Sequence, residues 1–106
     1  MTAIESAKAE AYRLIARRMR TRKEIQTRLR QRGHREAVVE ETIKSLHELG
    51  YVDDAAFALE WCRRRLEDRP LGRRGLLREL SERGVPREIA EDAVNEAFAG
   101  VEESRL

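Results

Sequence analysis

Cysteine is all but missing from the 106-residue sequence: Cys62 stands alone, so no disulfide can form within the chain. Beside Trp61 in a helical run, it reads as a small buried filler rather than a nucleophile. His34 and His47 are too far apart, and too short of partners, to make a zinc set. No run approaches the ~20 apolar residues that a membrane span needs. The N-terminus also lacks an apolar secretory core, which points to a cytoplasmic protein with no membrane partner. Aromatics are few, with one Trp, two Tyr and two Phe, so the core must be thin and aliphatic. Neither a phosphate-binding glycine loop nor a nucleophile–base motif is present. These absences argue against an enzyme, and no cofactor or metal is implied.

Charge, by contrast, is plentiful. Charged residues make up 40% of the chain and apolar residues 41%, slightly under the usual ~45–50%. The two kinds are interleaved at helical spacing, which argues against disorder. The formal net charge of +2 hides a strong bias, because nineteen of the 22 basic residues are Arg. From Arg13 to Arg35 there are ten basic residues and one acid, Glu24. The balancing acids lie elsewhere, at Glu36, Glu40, Glu41 and Glu48 and from Glu88 to Glu103. Segregation of this kind makes a local positive field despite a small total. A genomic preference for Arg explains the Arg-to-Lys ratio but not the clustering.

Apolar spacing predicts an all-α protein of six helices. The first runs from about Ala3 to Arg18, with Ile4, Ala7, Ala11, Leu14 and Ile15 on one stripe and Tyr12 at its edge. Thr21-Arg22-Lys23-Glu24 has the form of a capping box. It starts a second helix that carries Ile25 and Leu29 and stops at Gly33. A third begins near Arg35, turns Val39, Ile43 and Leu46 inward with Val38 and Leu49 alongside, and ends at Gly50. Gly50-Tyr51-Val52-Asp53-Asp54 is then a corner, with Tyr51 and Val52 plugging it and Asp53 as the next N-cap. The fourth helix, Asp54 to Asp68, buries Phe57, Ala58, Trp61, Cys62 and Leu66, and Pro70 and Gly72 break it. The fifth, Arg73 to Arg83, carries Leu76, Leu77 and Leu80. The sixth takes Pro86 into its first turn and buries Ile89, Ala93, Val94, Ala97 and Phe98.

The halves superpose. At an offset of 51, Ile25 falls on Leu76, Leu29 on Leu80, Gly33 on Gly84 and Ile43 on Val94. The first and fourth helices align near an offset of 49, placing Tyr12 on Trp61. A period near 50 indicates tandem, helix-turn-helix-like three-helix repeats at residues 3–50 and 51–99, with a frayed acidic tail at 100–106.

Gly50-Tyr51-Val52-Asp53-Asp54, followed by Phe57-Ala58, then Gly72, Leu80 and Gly84-Val85, resembles the RecX family of bacterial recombination regulators. Arg22-Lys23-Glu24-Ile25, Leu29 and Gly33 are similar to that family's first repeat. The resemblance runs from about Ala7 to Phe98. It implies tandem three-helix repeats that lie in the groove of RecA filaments on single-stranded DNA. There they damp ATP hydrolysis, strand exchange and co-protease activity. The usual third repeat of the family has no counterpart in this sequence, and two repeats would span less of a filament groove.

Two Arg groups are the candidate binding residues. Arg17, Arg18, Arg20, Arg22 and Lys23 surround the first inter-helix turn, with Arg28 and Arg32 on the second helix. Arg63, Arg64, Arg65, Arg69, Arg73 and Arg74 form a similar group in the second repeat, of which Arg63, Arg64, Arg73 and Arg74 are the contact candidates. The expected partners are the RecA filament and single-stranded DNA, with duplex DNA as a further target, and the expected state is a monomer. A solvated face with local ion pairs, such as Glu36 or Glu40 with a nearby Arg, is the plain alternative for any single Arg. Tyr12 and Trp61 read as core packing rather than base-stacking platforms, and Asp53 and Asp54 as caps rather than a metal pair. A helix-turn-helix DNA-binding module without RecA is a second reading. Its second helix is short and offers only Gln26 and Gln31 as amides, a poor basis for base readout. A structural adaptor without nucleic acid is a third reading, and the Arg clustering argues against it.

Overall fold

The computed structural model describes residues 1–68 and 72–104. Arg69, Pro70 and the last two tail residues, with the expectations attached to them, lie outside the described residues. Six helices follow in order: α1 (Ala3–Arg17), α2 (Arg22–Gln31), α3 (Glu36–Glu48), α4 (Asp54–Asp68), α5 (Arg73–Glu82) and α6 (Arg87–Ser104). No strand occurs among the described residues. The chain divides into two compact units, Met1–Asp53 and Asp54–Leu106.

In the first unit, Ala7 and Ala11 are fully buried and bring α1 close to its neighbours. They pack with Ile25 and Leu29 of α2, Val39, Ile43 and Leu46 of α3, and Val52. In the second unit, Phe57, Ala58 and Cys62 of α4 meet Leu76 and Leu80 of α5, Val85, and Ala90, Ala93, Val94 and Ala97 of α6. Leu66 and Trp61 pack against that cluster half-buried. The first core is aliphatic as expected, while the second also takes in Phe57, with Trp61 and Phe98 packed against it.

Local chemistry fixes the helix ends. Thr21 and Glu24 form the capping box: the Thr21 hydroxyl accepts from the Glu24 N–H at 3.1 Å, and a Glu24 carboxylate oxygen accepts from the Thr21 N–H at 3.0 Å. At the other ends, Gly33, Gly50 and Gly84 have φ of +86°, +79° and +88°. Each is followed by the same pair of bonds. His34, Tyr51 and Val85 donate their N–H groups to the carbonyls of Leu29, Leu46 and Leu80, while the three glycines donate to Arg30, His47 and Ser81. This is the Schellman closure, which only a left-handed residue allows.

Several sequence expectations change. The elements repeat at one constant offset of 51, since Ala3, Arg22 and Glu36 open helices matched by Asp54, Arg73 and Arg87. The first and fourth helices therefore do not shift to 49: Ala7, Ala11 and Ile15 correspond to Ala58, Cys62 and Leu66. The small and aliphatic positions face the core and set the register, and Tyr12 and Trp61 lie on the flanks. Tyr12 is accordingly 41% exposed and Tyr51 53%, packed edge-to-face with centroids 5.7 Å apart. Val52, at 2%, plugs the corner without Tyr51. Leu49 is 59% exposed, because the helix ends before its side chain reaches the core. Pro86 sits one residue before α6 and accepts the first helical bond, from the Ala90 N–H. Residues 100–104 extend α6, with half-buried Val101 continuing the stripe through Ala97.

Two stability effects follow. A Cβ at Gly50 meets nothing within 4 Å, so Gly50→Ala carries the left-handed backbone strain alone, about 1–2 kcal/mol. Leu76→Ala removes fully buried volume and costs about 2–5 kcal/mol. Urea unfolding followed by helical circular dichroism measures both, and a loss-free Gly50→Ala variant would contradict the closure.

Candidate nucleic-acid and filament interface

On the face where α1 lies beside α2, residues Glu10, Arg13, Leu14, Arg17, Arg28 and Arg32 line an open groove of about 120 Å³. Helical geometry assembles it. Glu10, Arg13 and Arg17 recur at three- and four-residue steps along α1, and Arg28 and Arg32 are one turn apart at the end of α2. Glu10 is the one carboxylate of the lining, and it is engaged: one oxygen lies 3.4 Å from Arg32 Nε and the other 3.1 Å from His34 Nε2. Arg13, Arg17 and Arg28 are exposed and have no ion-pair partner among the described residues. The formal charge of the lining is four guanidiniums against one carboxylate, or +3.

Other candidates have different duties. Arg18 pairs with Glu24 at 3.0 Å and donates to the Met19 carbonyl, bracing the capping box. Half-buried Arg20 donates Nε–H to the Leu14 carbonyl at 3.2 Å and ties the α1–α2 turn. Burial, then the neighbouring Arg18 charge, pulls its pKa below the ordinary guanidinium value. Arg22 and Lys23 stand exposed on the first turn of α2. Arg30, outside the candidate set, pairs with Glu36 at 2.6 Å.

In the second unit, Arg63 and Arg74 are exposed, and Arg64 pairs with Glu60 at 2.9 Å along α4. Arg73 lies 4.7 Å over the Phe98 ring and donates to Asn95, so it fastens α5 to α6. Around Trp61 there is a closed assembly. Its ring stacks on Phe57 with centroids 5.9 Å apart, and the Arg83 guanidinium covers it at 4.6 Å. Its Nε1–H donates to Glu79 at 3.0 Å, and Arg65 pairs with the same carboxylate at 2.9 Å. Burial pushes the Glu79 pKa up, but the bonds from Trp61 and Arg65 and the charges of Arg65 and Arg83 outweigh it and hold it below the usual carboxylate range. Cys62 is buried, and its thiol is pushed up to about 11, mainly by burial and then by the Glu79 charge.

The arrangement can hold oxyanions on the first unit. No cluster of three or more His, Cys, Asp or Glu that could hold a metal occurs among the described residues. No helix among them is long and apolar enough to cross a membrane. Glu10, Arg13, His34, Glu79 and Arg83 were not among the candidates read from the sequence. The i, i+3, i+7 spacing of Glu10, Arg13 and Arg17 carried the signal for the groove, but the 49-residue alignment of α1 with α4 obscured its counterpart.

Residues 7–46 match the first three-helix domain of RecX, and residues 53–94 match the second. The chain belongs to the RecX family. A regulatory protein RecX of Mycobacterium sp. (strain JLS) is 40% identical over 101 residues, covering 95% of this chain and 55% of that protein. A regulatory protein RecX of Streptomyces coelicolor is 39% identical over 77 residues, covering 73% and 41%. The crystal structure of RecX from Lactobacillus salivarius superposes with a TM-score of 0.85 at 28% identity, covering 87% of this chain and 60% of that one. The chain thus spans about half the length of the curated RecX relatives it matches.

Two titrations test these environments. Glu79 has a depressed folded pKa, so its contribution to stability is present above the unfolded carboxylate value and is lost as pH falls through the folded one. Acid unfolding of the second unit should therefore be steeper in the parent than in Glu79→Gln. The Cys62 thiol should react with a disulfide reagent at pH 8 only as fast as the unit opens, and rapidly in denaturant. Fast labelling of the native protein would contradict its burial.

Proposed function

We propose that this RecX-family chain is a non-enzymatic regulator that binds RecA filaments on single-stranded DNA and restrains their ATPase, strand-exchange and co-protease activities. It acts as a cytoplasmic monomer. Family membership supports the class of activity. The observation that carries the contact surface is the set of guanidiniums of Arg13, Arg17 and Arg28, which have no ion-pair partner among the described residues and line one groove. Charges left uncompensated on a folded surface cost self-repulsion and favour an anionic partner. Arg22, Lys23 and Arg32 extend the same field along α2, and Arg63 and Arg74 add exposed charge on the second unit. Arg18 and Arg20 serve the surface by holding its turn.

Inhibition of RecA's DNA-dependent ATPase by the parent and by Arg17→Ala/Lys23→Ala/Arg28→Ala tests the reading. None of the three side chains makes an internal hydrogen bond or ion pair among the described residues, so helicity should be preserved. The parent should lower turnover, and the triple variant should need several-fold more protein to do so. An equally helical variant with parental inhibition would contradict the surface, and ATP turnover by the chain without RecA would contradict the class.

A further inference from the structure

The two units share one backbone register, so each groove residue has a counterpart 51 positions on. Glu10 corresponds to Trp61, Arg13 to Arg64, Leu14 to Arg65, Arg17 to Asp68, Arg28 to Glu79 and Arg32 to Arg83. The substitutions change what this face can do. In the first unit Arg32 meets a carboxylate at 3.4 Å; in the second, Arg83 lies on the Trp61 ring at 4.6 Å. The Arg28 position, unpaired and cationic, becomes Glu79, whose carboxylate is held by Trp61 and Arg65. The counterpart positions carry three guanidiniums against two carboxylates, a formal +1, against +3 in the first unit. One face is an open cationic groove, and the other is packed with an indole and internally neutralised.

From this contrast we infer that the α1–α2 groove of the first unit is a single phosphate seat, formed by Arg13, Arg17 and Arg28 with Arg32, and that the second unit has lost it. This rests on the filament-binding reading and assigns its phosphate contact. The groove of about 120 Å³ gathers four guanidiniums around one opening, a donor set that suits a single phosphoryl group. Arg guanidiniums match phosphate oxygens in paired hydrogen bonds. Glu10 turns its two oxygens to Arg32 and His34 and engages none of Arg13, Arg17 and Arg28. The ligand is a phosphate oxyanion, supplied by a nucleic-acid backbone or as the free ion.

Amide NMR shifts on the full chain test the seat, with inorganic phosphate and a single-stranded oligodeoxythymidylate as probes and chloride at matched ionic strength as reference. Arg28→Glu installs the residue that the second unit carries at this position. Arg78→Glu, at an exposed position of α5, makes the same charge change outside the α1–α2 groove. Both probes should move amides of α1 and α2 around the groove in the parent and in Arg78→Glu. Arg28→Glu should abolish those shifts and weaken the oligonucleotide by roughly tenfold or more. Because one phosphate is shared, Arg17→Ala/Arg28→Ala should flatten the log–log salt dependence of oligonucleotide binding by about 0.7 and not by twice that. Groove shifts with the oligonucleotide alone would still support the seat and name the backbone as its source. Oligonucleotide binding that is equal in the parent and Arg28→Glu would overturn it, while leaving filament binding to be read separately by ATPase inhibition. No groove shift with either probe, but loss of RecA-filament binding in Arg28→Glu, would also overturn it and assign the groove to an acidic protein surface.

Discussion

The left-handed glycine that closes a helix is the constraint on which both units depend. At Gly33, Gly50 and Gly84 the chain reverses through the same two hydrogen bonds, and each time the residue after the glycine donates its N–H to the carbonyl of a core leucine. At Val85 and Leu80 that contact is itself part of the core. With the exits fixed, short helices can pack around a core built from Ala, Leu, Val and Ile. Helices of ten residues such as α2 and α5 would be marginal alone and are stabilised by this packing.

A scaffold specified by so few positions leaves its flanks free to diverge. Ala7, Ala11 and Ile15 answer to Ala58, Cys62 and Leu66, and both sets point inward. One residue away from these positions the two units differ in kind. Glu10 and Arg28 keep one face polar and open, and Trp61 and Glu79 close the other. The second unit obtains from Trp61, Phe57 and Arg83 a packed flank in which the indole N–H and the half-buried Glu79 carboxylate are both satisfied. The first unit instead retains a cluster of guanidiniums that adds nothing evident to its own stability. Local conflict of that kind is what a binding face presents when its partner is absent.

Helix number, helix ends and most of the core were legible in the sequence, because they rest on local signals. Thr21 with Glu24, the three glycines and the Ile25, Leu29, Val39, Ile43 and Leu46 spacing each have one physical reading. The flanks were harder. Tyr12 and Trp61 looked equivalent as the large aromatics of the first and fourth helices, whereas the small buried positions Ala7, Ala11, Ala58 and Cys62 set the register. Tyr51 and Leu49 seemed apolar enough for the core, but Leu49 caps the end of α3 and Tyr51 follows the turn at Gly50, and both stay outside. The Arg clusters were visible as composition. Which Arg were spoken for depended on carboxylates distant in sequence, as with Glu10 and Arg32, or Glu79 and Arg65.

Of the two homologous faces, one should bind and the other stay closed. Hydrogen–deuterium exchange of the chain, free and mixed with RecA-coated single-stranded DNA, measures this directly. The account predicts new protection concentrated in the second half of α1 and in α2, with the corresponding stretches of α4 and α5 changed much less. Equal protection of both stretches, or protection confined to the Trp61–Arg83 face, would contradict it.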